Sequence, residues 1–390
     1  MRKLHRKLVT LHHQIRQHSP PCLAMNRVVS QVNYREWMHG KTVKRVVLFL
    51  PVIRGCQWRL SCGGCFPCGM AYGLGINPEH PSIEIKPVVE KTIEWLVGEE
   101  APEWVCVYNE GSFLNPWELS PFAQSVILTL IAQIESVKRI TIESRPEFIT
   151  PDSLKPLEEI TNTYGVEVEI GIGIEVRNDF VREVCVNKGF SWEEFRRGIK
   201  AIRERGLRSL AYVFLKPPFL TEREAIEEAV STVEACFNEG VDAISLEVAS
   251  IHEWTLLEYL WLKGFYRVPW LWSALEVVRR VWDIGEIRIG GEPQTYFPQS
   301  EKAAYNCDEC TKRIWMNIRH YNETHVLEHL QNGSCKCREE WIEEISLNDK
   351  VKKSLEERII ERIKEIEGKL NIEDYLLRKS LYTSFRELGG

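Results

Sequence analysis

Six apolar stretches, each followed by a helical pattern, constrain the fold of this 390-residue chain more than any other feature. Such runs of β-branched and other apolar residues are typical of buried strands. They lie at 45–53, 103–113, 138–150, 166–176, 207–218 and 241–251. Helical patterns follow, the clearest at 118–135, 151–164, 191–206 and from 221 onward. This alternation predicts an α/β fold with a parallel sheet covered by helices, a partial (β/α)6 TIM-like barrel.

Polar motifs follow four of these predicted strands. The first strand leads into "RGCQWRLSCGGCFPCG", the second ends in "YNEGSF", the third in "ESRPEF" and the fourth in "IEVRND". In a parallel barrel the carboxyl ends of the strands meet at one rim, and chemistry collects there. The sequence therefore predicts an enzyme whose site lies at this rim.

The twelve cysteines indicate metal binding rather than disulfides. Two clusters hold eight of them, and Cys22, Cys106, Cys185 and Cys236 are isolated. The N-terminus lacks the apolar core of a secretory signal, and no apolar run reaches the ~20 residues of a membrane span, so we expect a cytoplasmic protein without a membrane segment. Because that compartment keeps thiols reduced, the two clusters predict two metal centres.

The first cluster combines three spaced cysteines with conformationally free glycines. Cys56, Cys65 and Cys68 form a C-x8-C-x2-C pattern, and the glycines around them let a loop wrap around an iron–sulfur cubane. Three thiolates leave one iron open to a further ligand, as in a catalytic zinc site. Cys62 could be a ligand in a 62/65/68 set, a fourth ligand or a bystander. A zinc knuckle is the alternative, but the position at a barrel rim favours the [4Fe-4S] cluster.

The second cluster predicts a closed, structural metal site. Cys307 and Cys310 precede Cys335 and Cys337 by a gap of 24 residues. Four soft ligands favour a structural Zn²⁺ over a second iron–sulfur cluster.

The segment between these cysteine pairs adds histidines and basic side chains. His325 and His329 are spaced i, i+4 on a predicted helix, but four cysteines leave them no coordination position, so we interpret them as surface or RNA-facing residues. A module this small needs its metal to fold. Its basic residues could also hold RNA, and a purely structural role fits equally well.

Charge divides the chain into a basic head and an acidic body. Residues 1–60 contain twelve Lys and Arg but a single acidic residue, Glu36, a local charge of +11 in a chain of net charge −6. Such a head fits contact with a polyanion, or else a solvated helix face with a few surface strands. The expected organisation is a basic segment (1–44), a partial barrel (45–295), the cysteine-rich module (300–345) and a charged helical tail (346–390).

Seven motifs, in order along residues 45–341, carry a family resemblance. They are "RGCQW…GGCFPCG", "YNEGSFLNPWEL", "IESRPEFIT", "VNKGFSWEEF", "FLKPPFLTEREAIEEA", "YRVPWLWSALEVV" and "NCDECTKRI…CKCREEW". Together they resemble the radical SAM superfamily, in particular its Elp3-like branch, and most of all the archaeosine-forming radical SAM proteins. One position departs from the superfamily pattern: a bulky apolar residue usually precedes the last cysteine, whereas here Pro67 does, with Phe66 one residue earlier.

The resemblance implies how the rim residues would bind S-adenosyl-L-methionine (SAM). SAM would chelate the open iron of the cluster, and one electron would cleave it to a 5′-deoxyadenosyl radical. Gly111 and Ser112 would present backbone groups to its methionyl end. Glu143 or Glu175 would bind its ribose or amino group. Arg145 would clamp its carboxylate, or would only form a salt bridge with a neighbouring glutamate.

The same resemblance implies a reaction on tRNA. The substrate would carry, at tRNA position 15, the lysine adduct of 7-cyano-7-deazaguanine, and radical C–N cleavage would leave the amidine of archaeosine. The implied partners are tRNA, a lysine-transferring enzyme of the archaeosine pathway and an electron donor for the cluster. Lys188 and Lys216 could contact the nucleic-acid backbone or be solvated loop lysines.

Two alternatives to this reaction stay open. One is a different radical SAM modification of tRNA, such as Elp3-like carboxymethylation, although no part of the sequence resembles an appended acetyltransferase domain. The other is a metal-stabilised RNA-binding protein without turnover, which explains the basic head and the cysteine-rich module but not the polar rim motifs.

Overall fold

An eight-stranded sheet forms the centre of the computed structural model, which describes residues 2–19, 30–50, 55–69, 82–97, 101–292, 300–331, 334–347 and 353–388. Its strands are β1 (Ser30–Met38), β2 (Lys41–Phe49), β3 (Trp104–Tyr108), β4 (Arg139–Glu143), β5 (Glu167–Glu175), β6 (Arg208–Leu215), β7 (Ala243–Val248) and β9 (Glu286–Gly290). The order in the sheet is β1-β2-β3-β4-β5-β6-β7-β9. β1 pairs antiparallel with β2, and every other neighbouring pair is parallel. A second, two-stranded sheet joins β8 (Ile251–His252) to β10 (Ser300–Lys302).

The six predicted strands are confirmed as β2 to β7. Their apolar side chains are buried, as Val105, Ile140 and Ile170 show, because the sheet is covered on its outer face by helices. The predicted start of the barrel at residue 45 falls inside β2, and residues 51–53 of the predicted first strand lie outside the described residues. The predicted α/β half-barrel is therefore the observed fold.

The two edge strands, β1 and β9, are not among the strands predicted from the sequence. β1 alternates polar and apolar residues, and β9 is only five residues long and carries Arg288 in its centre. Neither has the continuous apolar run that identifies a strand buried on both faces. Arg288 is nevertheless only 8% exposed, because it points into the barrel lumen.

Helices cover the outside of the sheet and occupy both ends of the chain. They are α1 (Arg2–Gln17), α2 (Gln57–Cys62), α3 (Ser82–Val97), α4 (Pro121–Ala132), α5 (Pro151–Tyr164), α6 (Asp179–Val181), α7 (Trp192–Glu204), α8 (Glu222–Asn238), α9 (Leu256–Leu262), α10 (Leu271–Val281), α11 (Asp308–Thr324), α12 (Lys336–Leu347), α13 (Leu355–Glu367) and α14 (Ile372–Leu388). Thr150, Ser191 and Thr221 cap α5, α7 and α8 with reciprocal capping boxes, which explains why these predicted helices begin where they do. No helix in the described parts of the chain is long and apolar enough to cross a membrane.

Helix α11 closes the gap between the two edges of the half-barrel. The side-chain amide of Asn322 accepts from the backbone N–H of Ile289 (3.0 Å) and donates to its carbonyl (2.9 Å). The Tyr321 hydroxyl donates to the Ile287 carbonyl (2.9 Å), and the Thr42 hydroxyl of β2 donates to a carbonyl of α11 (2.7 Å). Two side chains of α11, Tyr321 and Asn322, thus bind backbone groups of the edge strand β9.

The two ends of the chain pack together beside the barrel. α1 buries Leu8 and Ile15, and it contacts α9, α13 and α14. The Tyr375 hydroxyl of α14 donates to the buried Glu258 of α9 at 2.7 Å. Within the described residues after 353, α13 and α14 thus pack against α1, and α14 also packs against α9.

Candidate active site

A cavity of about 780 Å³ lies at the carboxyl ends of the parallel strands and extends into the barrel lumen. It is lined by seven of the residues that the sequence analysis selected: Cys56, Cys65, Cys68, Gly111, Glu143, Arg145 and Glu175. Ser112 is buried immediately behind this lining, and its hydroxyl accepts from the backbone N–H of Arg145 at 3.2 Å. Residues from four separate motifs thus meet at one rim.

The segment from Cys56 to Cys68, which includes α2, presents three cysteines to the cavity and turns the fourth away. Cys56 is the N-cap residue of α2, and the left-handed Gly63 (φ 88°) and Gly64 (φ 86°) reverse the chain after the helix. Cys65 and Cys68 then return to the cavity. The thiol of Cys62 instead donates to the Trp58 carbonyl at 3.3 Å and is absent from the cavity lining.

The chemistry of these thiols fits a metal cluster. Burial raises the pKa of Cys56 and of Cys65 to about 11, so at neutral pH both thiols need a cationic partner to become thiolates. Lys188 and Arg145 lie close enough to Cys65 to lower its pKa partly. Three thiols that line one cavity, two of them half-buried and that of Cys68 exposed, with Lys188 and Arg145 beside Cys65, suit an anionic cluster of iron and sulfide held by three cysteines.

Glu118 links the start of α2, next to Cys56, to the "NEGS" loop that follows β3. Its carboxylate accepts from the backbone N–H of Gln57 (2.9 Å), the backbone N–H of Ser112 (2.6 Å) and the side chain of Asn115 (3.0 Å). A Cβ at Gly111 would overlap this carboxylate, so a larger residue there would displace Glu118 from these hydrogen bonds. Sequence reasoning missed Glu118, because nothing in its spacing shows that it reaches a loop 61 residues earlier.

Arg145 is held in place from several sides. Its guanidinium lies 4.9 Å from the Trp58 ring and 5.2 Å from the Phe190 ring, and it donates to the Lys188 carbonyl at 2.9 Å. It also forms the expected alternative salt bridge, with Glu147 at 2.5 Å. That pairing leaves Arg145 on the cavity wall, with its orientation fixed.

Two carboxylates and two tyrosines face the lumen above the centre of the barrel. Glu175 pairs with Lys188 at 2.6 Å. Burial, opposed in part by a hydrogen bond with Tyr212, raises the pKa of Glu143 to about 7. The hydroxyls of Tyr212 and Tyr108 are 3.1 Å apart. Glu143 therefore sits where it can hold or release a proton near neutral pH.

Lys216 does not take either of the roles expected for it. It is buried and forms a hydrogen-bonded ion pair with Glu222, so it is neither a solvated loop lysine nor available to RNA. Lys188 lines the cavity and is paired with Glu175, so it also is not a solvated loop lysine.

The outer side of the cysteine loop is covered by α1. Phe66 is fully buried, with its ring 5.3 Å from that of His12, whereas Pro67 lines the cavity. His12 accepts from the backbone N–H of Leu256 at 3.1 Å, and burial lowers the pKa of His12. The exposed basic residues of the predicted head, such as Arg2 and Lys3, lie on the other face of this helix.

The second cysteine cluster is a compact group of four sulfur atoms. Cys307, Cys310, Cys335 and Cys337 lie with these atoms within 4.8 Å of one another. The first pair sits at the N-terminus of α11 and the second at that of α12, where helix dipoles favour thiolates. The backbone N–H of Cys337 contributes most to a pKa of Cys335 that is lowered to about 7. Four soft ligands at this separation fit a closed tetrahedral metal site.

The prediction that His325 and His329 share a helix is wrong. α11 ends at Thr324, and His325 adopts a left-handed conformation (φ 54°) after it. His325 stacks on Trp37 at 5.0 Å and accepts from the backbone N–H of Ile287 at 3.4 Å, so it packs against the barrel edge. His329 lies in the following 3₁₀ turn.

A half-barrel with three cysteines in the segment after its first parallel strand is the arrangement that the resemblance to radical SAM proteins implies. Two relatives named archaeosine synthase subunit beta are similar to the chain. The relative from Methanosarcina acetivorans is 30% identical over 298 residues, which is 76% of this chain and 83% of the relative. The relative from Thermococcus kodakarensis is 31% identical over 306 residues, 77% and 92% of the two chains. The chain belongs to the archaeosine synthase subunit beta family.

No protein-family model matches the chain. Methylornithine synthase (PylB) is 13% identical with a TM-score of 0.45, over 87% of this chain and 91% of that one. An N-terminally deleted Elp3 of Methanocaldococcus infernus is 12% identical with a TM-score of 0.46, over 60% and 58%.

Proposed function

We propose that this protein is a radical SAM enzyme that forms archaeosine in tRNA. The observation that carries the proposal is that Cys56, Cys65 and Cys68 share one cavity while Cys62 does not line it. Three thiolates would hold a [4Fe-4S] cluster with one iron open to SAM. The names of the two relatives support archaeosine as the product.

The residues around the cysteines would bind and orient SAM. Gly111 would offer backbone groups to its methionyl end, and Arg145, fixed by Trp58 and Phe190, would bind its carboxylate. The expectation that Ser112 would do the same does not fit, because Ser112 is buried and its backbone N–H and carbonyl already bond to Glu118 and Asn115. Glu143 or Glu175 would accept from its ribose hydroxyls or amino group. When bound, the cluster and SAM supply a 5′-deoxyadenosyl radical, and the enclosed lumen would shield the reaction from water.

The substrate would be tRNA whose position 15 carries the lysine adduct of 7-cyano-7-deazaguanine. Transfer of a hydrogen atom from the lysine carbon next to the amidine nitrogen to the 5′-deoxyadenosyl radical, return of one electron to the cluster and addition of water would break this C–N bond. The nitrogen would stay on the nucleobase as the amidine, and the carbon chain would leave as an aldehyde. An enzyme that attaches the lysine would act first, and the "subunit" in the relatives' names supports a complex with another chain. An electron donor would reduce the cluster.

The four-cysteine site would bind a structural Zn²⁺. The four sulfurs offer a complete tetrahedral set, which leaves no open position for chemistry. The exposed basic face of α1, including Arg2, Lys3 and Arg6, would attract the tRNA backbone.

One experiment tests the proposed function directly. Anaerobically reconstituted protein is incubated with lysine-adducted tRNA, SAM and a reductant, and nucleosides are analysed by mass spectrometry. We expect archaeosine, 5′-deoxyadenosine and loss of the adduct, with none of these from Cys65→Ala. A colourless protein that binds only zinc and leaves the tRNA unchanged would instead support the RNA-binding alternative.

A further inference from the structure

The floor of the cavity contains a buried guanidinium with one open side. Arg288 of β9 is 8% exposed and lines the cavity. Its Nε donates to the Ser245 hydroxyl at 3.2 Å, whereas its Nη2 is buried and has no hydrogen-bond partner within the part of the chain that the structure describes. Because an unpaired buried cationic group is costly, this nitrogen calls for an anionic ligand.

A carboxylate lies beside this guanidinium on the neighbouring strand. The Ser245 hydroxyl, which accepts from Arg288, donates to Glu247 at 2.6 Å. A Cβ at Gly290, the register partner of Glu247, would overlap the carboxylate, so glycine makes room for Glu247 in the lumen. Burial raises the pKa of Glu247, and the Ser245 hydroxyl and the nearby Arg288 offset this effect only in part.

Two other basic side chains that line the cavity have carboxylate partners. Arg45 pairs with Glu36 at 2.8 Å, and Lys188 pairs with Glu175 at 2.6 Å. Arg288 and Glu247 therefore form an incomplete pair of opposite charges, bridged by one hydroxyl. A ligand with both a carboxylate and an ammonium group would complete it.

We propose that Arg288, Ser245 and Glu247 form a subsite for an amino-acid zwitterion, the α-carboxylate and α-ammonium of the lysine carried by the modified nucleobase. This inference rests on the proposed function. The planar fork of Arg288 matches a carboxylate, and Glu247 accepts from the ammonium. A tRNA phosphate fits this floor poorly, because Glu247 and Glu143 would repel it. The subsite would hold the free end of the lysine and so fix the C–N bond near the rim.

Two substrate analogues separate the two halves of the subsite. The first carries a 5-aminopentyl group in place of lysine and lacks only the carboxylate; the second carries a 5-carboxypentyl group and lacks only the ammonium. We expect the wild-type holoenzyme to prefer lysine-adducted tRNA over each analogue by on the order of 10- to 100-fold in kcat/KM. Arg288→Gln should lose the preference over the first analogue, and Glu247→Gln the preference over the second.

Binding measurements with the same three tRNAs test the subsite even if the proposed reaction does not occur. Dissociation constants for the three tRNAs, measured by fluorescence anisotropy, should show the same losses of preference even if no archaeosine forms. If the wild type forms archaeosine but Arg288→Gln and Glu247→Gln discriminate as it does, the subsite is overturned. Equal wild-type affinity and turnover for all three tRNAs would overturn it too.

Three controls show whether a loss of preference comes from the subsite itself. Arg319→Gln removes an arginine at the mouth of the same cavity that is already paired with Glu292, and it should keep both preferences. Arg288→Lys keeps the charge and should keep part of the preference over the first analogue, which also covers the case in which Arg288→Gln does not fold. Weaker SAM binding by Arg288→Gln, with unchanged discrimination between tRNAs, would assign Arg288 to SAM instead.

Discussion

Four cysteines lie within thirteen positions, and their side chains have different surroundings. Cys65 lies in the cavity beside Lys188 and Arg145, where a thiolate would be stabilised. Cys62 is on the other side of α2, with its thiol on the Trp58 carbonyl and 3.8 Å from the Asn187 amide. The helical turn of α2 and the two left-handed glycines after it produce this separation.

Substitution of these cysteines tests the assignment of cluster ligands. We expect Cys65→Ala to lose most of its iron after reconstitution and all SAM cleavage, since one of three ligands is removed. Cys62→Ala should keep most of both, because only two weak polar contacts are lost. Iron content and 5′-deoxyadenosine release provide the measurement. An inactive Cys62→Ala beside an active Cys56→Ala would show that the ligand set is wrong.

The raised pKa of Glu143 predicts a pH dependence of stability. Its pKa rises from 4.5 to about 7 on folding, so the folded state binds more protons than the unfolded state between these values. Stability should therefore fall as pH rises through this window, by up to about 3 kcal/mol. Urea unfolding of the metal-free protein at several pH values measures the effect. In Glu143→Gln this part of the pH dependence should be missing; the same slope in both proteins would contradict the assignment.

At the scale of single residues the sequence identified groups that lie near strand ends but not groups that act across loops. Gly111, Glu143, Arg145 and Glu175 follow predicted strands, so the barrel rule was enough to bring them to one rim. Glu118 joins two loops through tertiary contacts, and no local pattern marks such a residue.

At the scale of elements, the cysteine-rich module completes the barrel. α11 begins at the four-cysteine site and ends against β1 and β9, so the metal-binding end and the barrel-closing end belong to one helix. Arg319 and Asn322 of this helix also line the cavity. The module therefore contributes a wall of the candidate active site.

Metal removal should loosen this closure at defined backbone positions. The amides of Ile287 and Ile289 donate to His325 and Asn322, so they should exchange hydrogen at least about tenfold faster after chelation. The amide of Ile170, inside the sheet, should not change. Hydrogen exchange followed by NMR makes the comparison.

A matched variant separates closure of the barrel from metal binding. Asn322→Leu should speed exchange at Ile289 alone and leave the metal content unchanged. Unchanged exchange at Ile287 and Ile289 in the chelated protein would show that α11 holds its place without the metal.

Element prediction succeeded where burial made the pattern simple. Strands β2 to β7 are buried on both faces and read as apolar runs, and α5, α7 and α8 carry strong N-caps. β9 was not predicted because its central residue, Arg288, is charged and faces the barrel lumen instead of packing in the apolar core. The helix through His325 was predicted too long, because a left-handed histidine ends it without a glycine.

At the scale of the whole molecule, elements from both ends of the chain meet behind the cysteine loop. The first turn of α9 donates to His12 of α1 (Leu256 N–H, 3.1 Å) and to the Phe66 carbonyl of the cysteine loop (Leu257 N–H, 3.3 Å). α9 also carries Glu258, whose buried carboxylate is bound by α14. Helix α14 thus stabilises α9, and α9 in turn contacts the segment that carries Cys65 and Cys68.

This arrangement predicts a large stability effect from one residue far from the cavity. Lys379 of α14 donates to Glu258 at 2.6 Å, and both side chains are buried. Lys379→Met leaves the Glu258 carboxylate without its cation, which should lower the free energy of unfolding by about 3–5 kcal/mol. The double variant Glu258→Gln/Lys379→Met removes the charge as well and should recover much of this loss. Lys364→Met, at an exposed position of α13, should stay within about 0.5 kcal/mol of the wild type in urea unfolding. A Lys379→Met protein as stable as Lys364→Met would mean that the tail does not hold α9 in place.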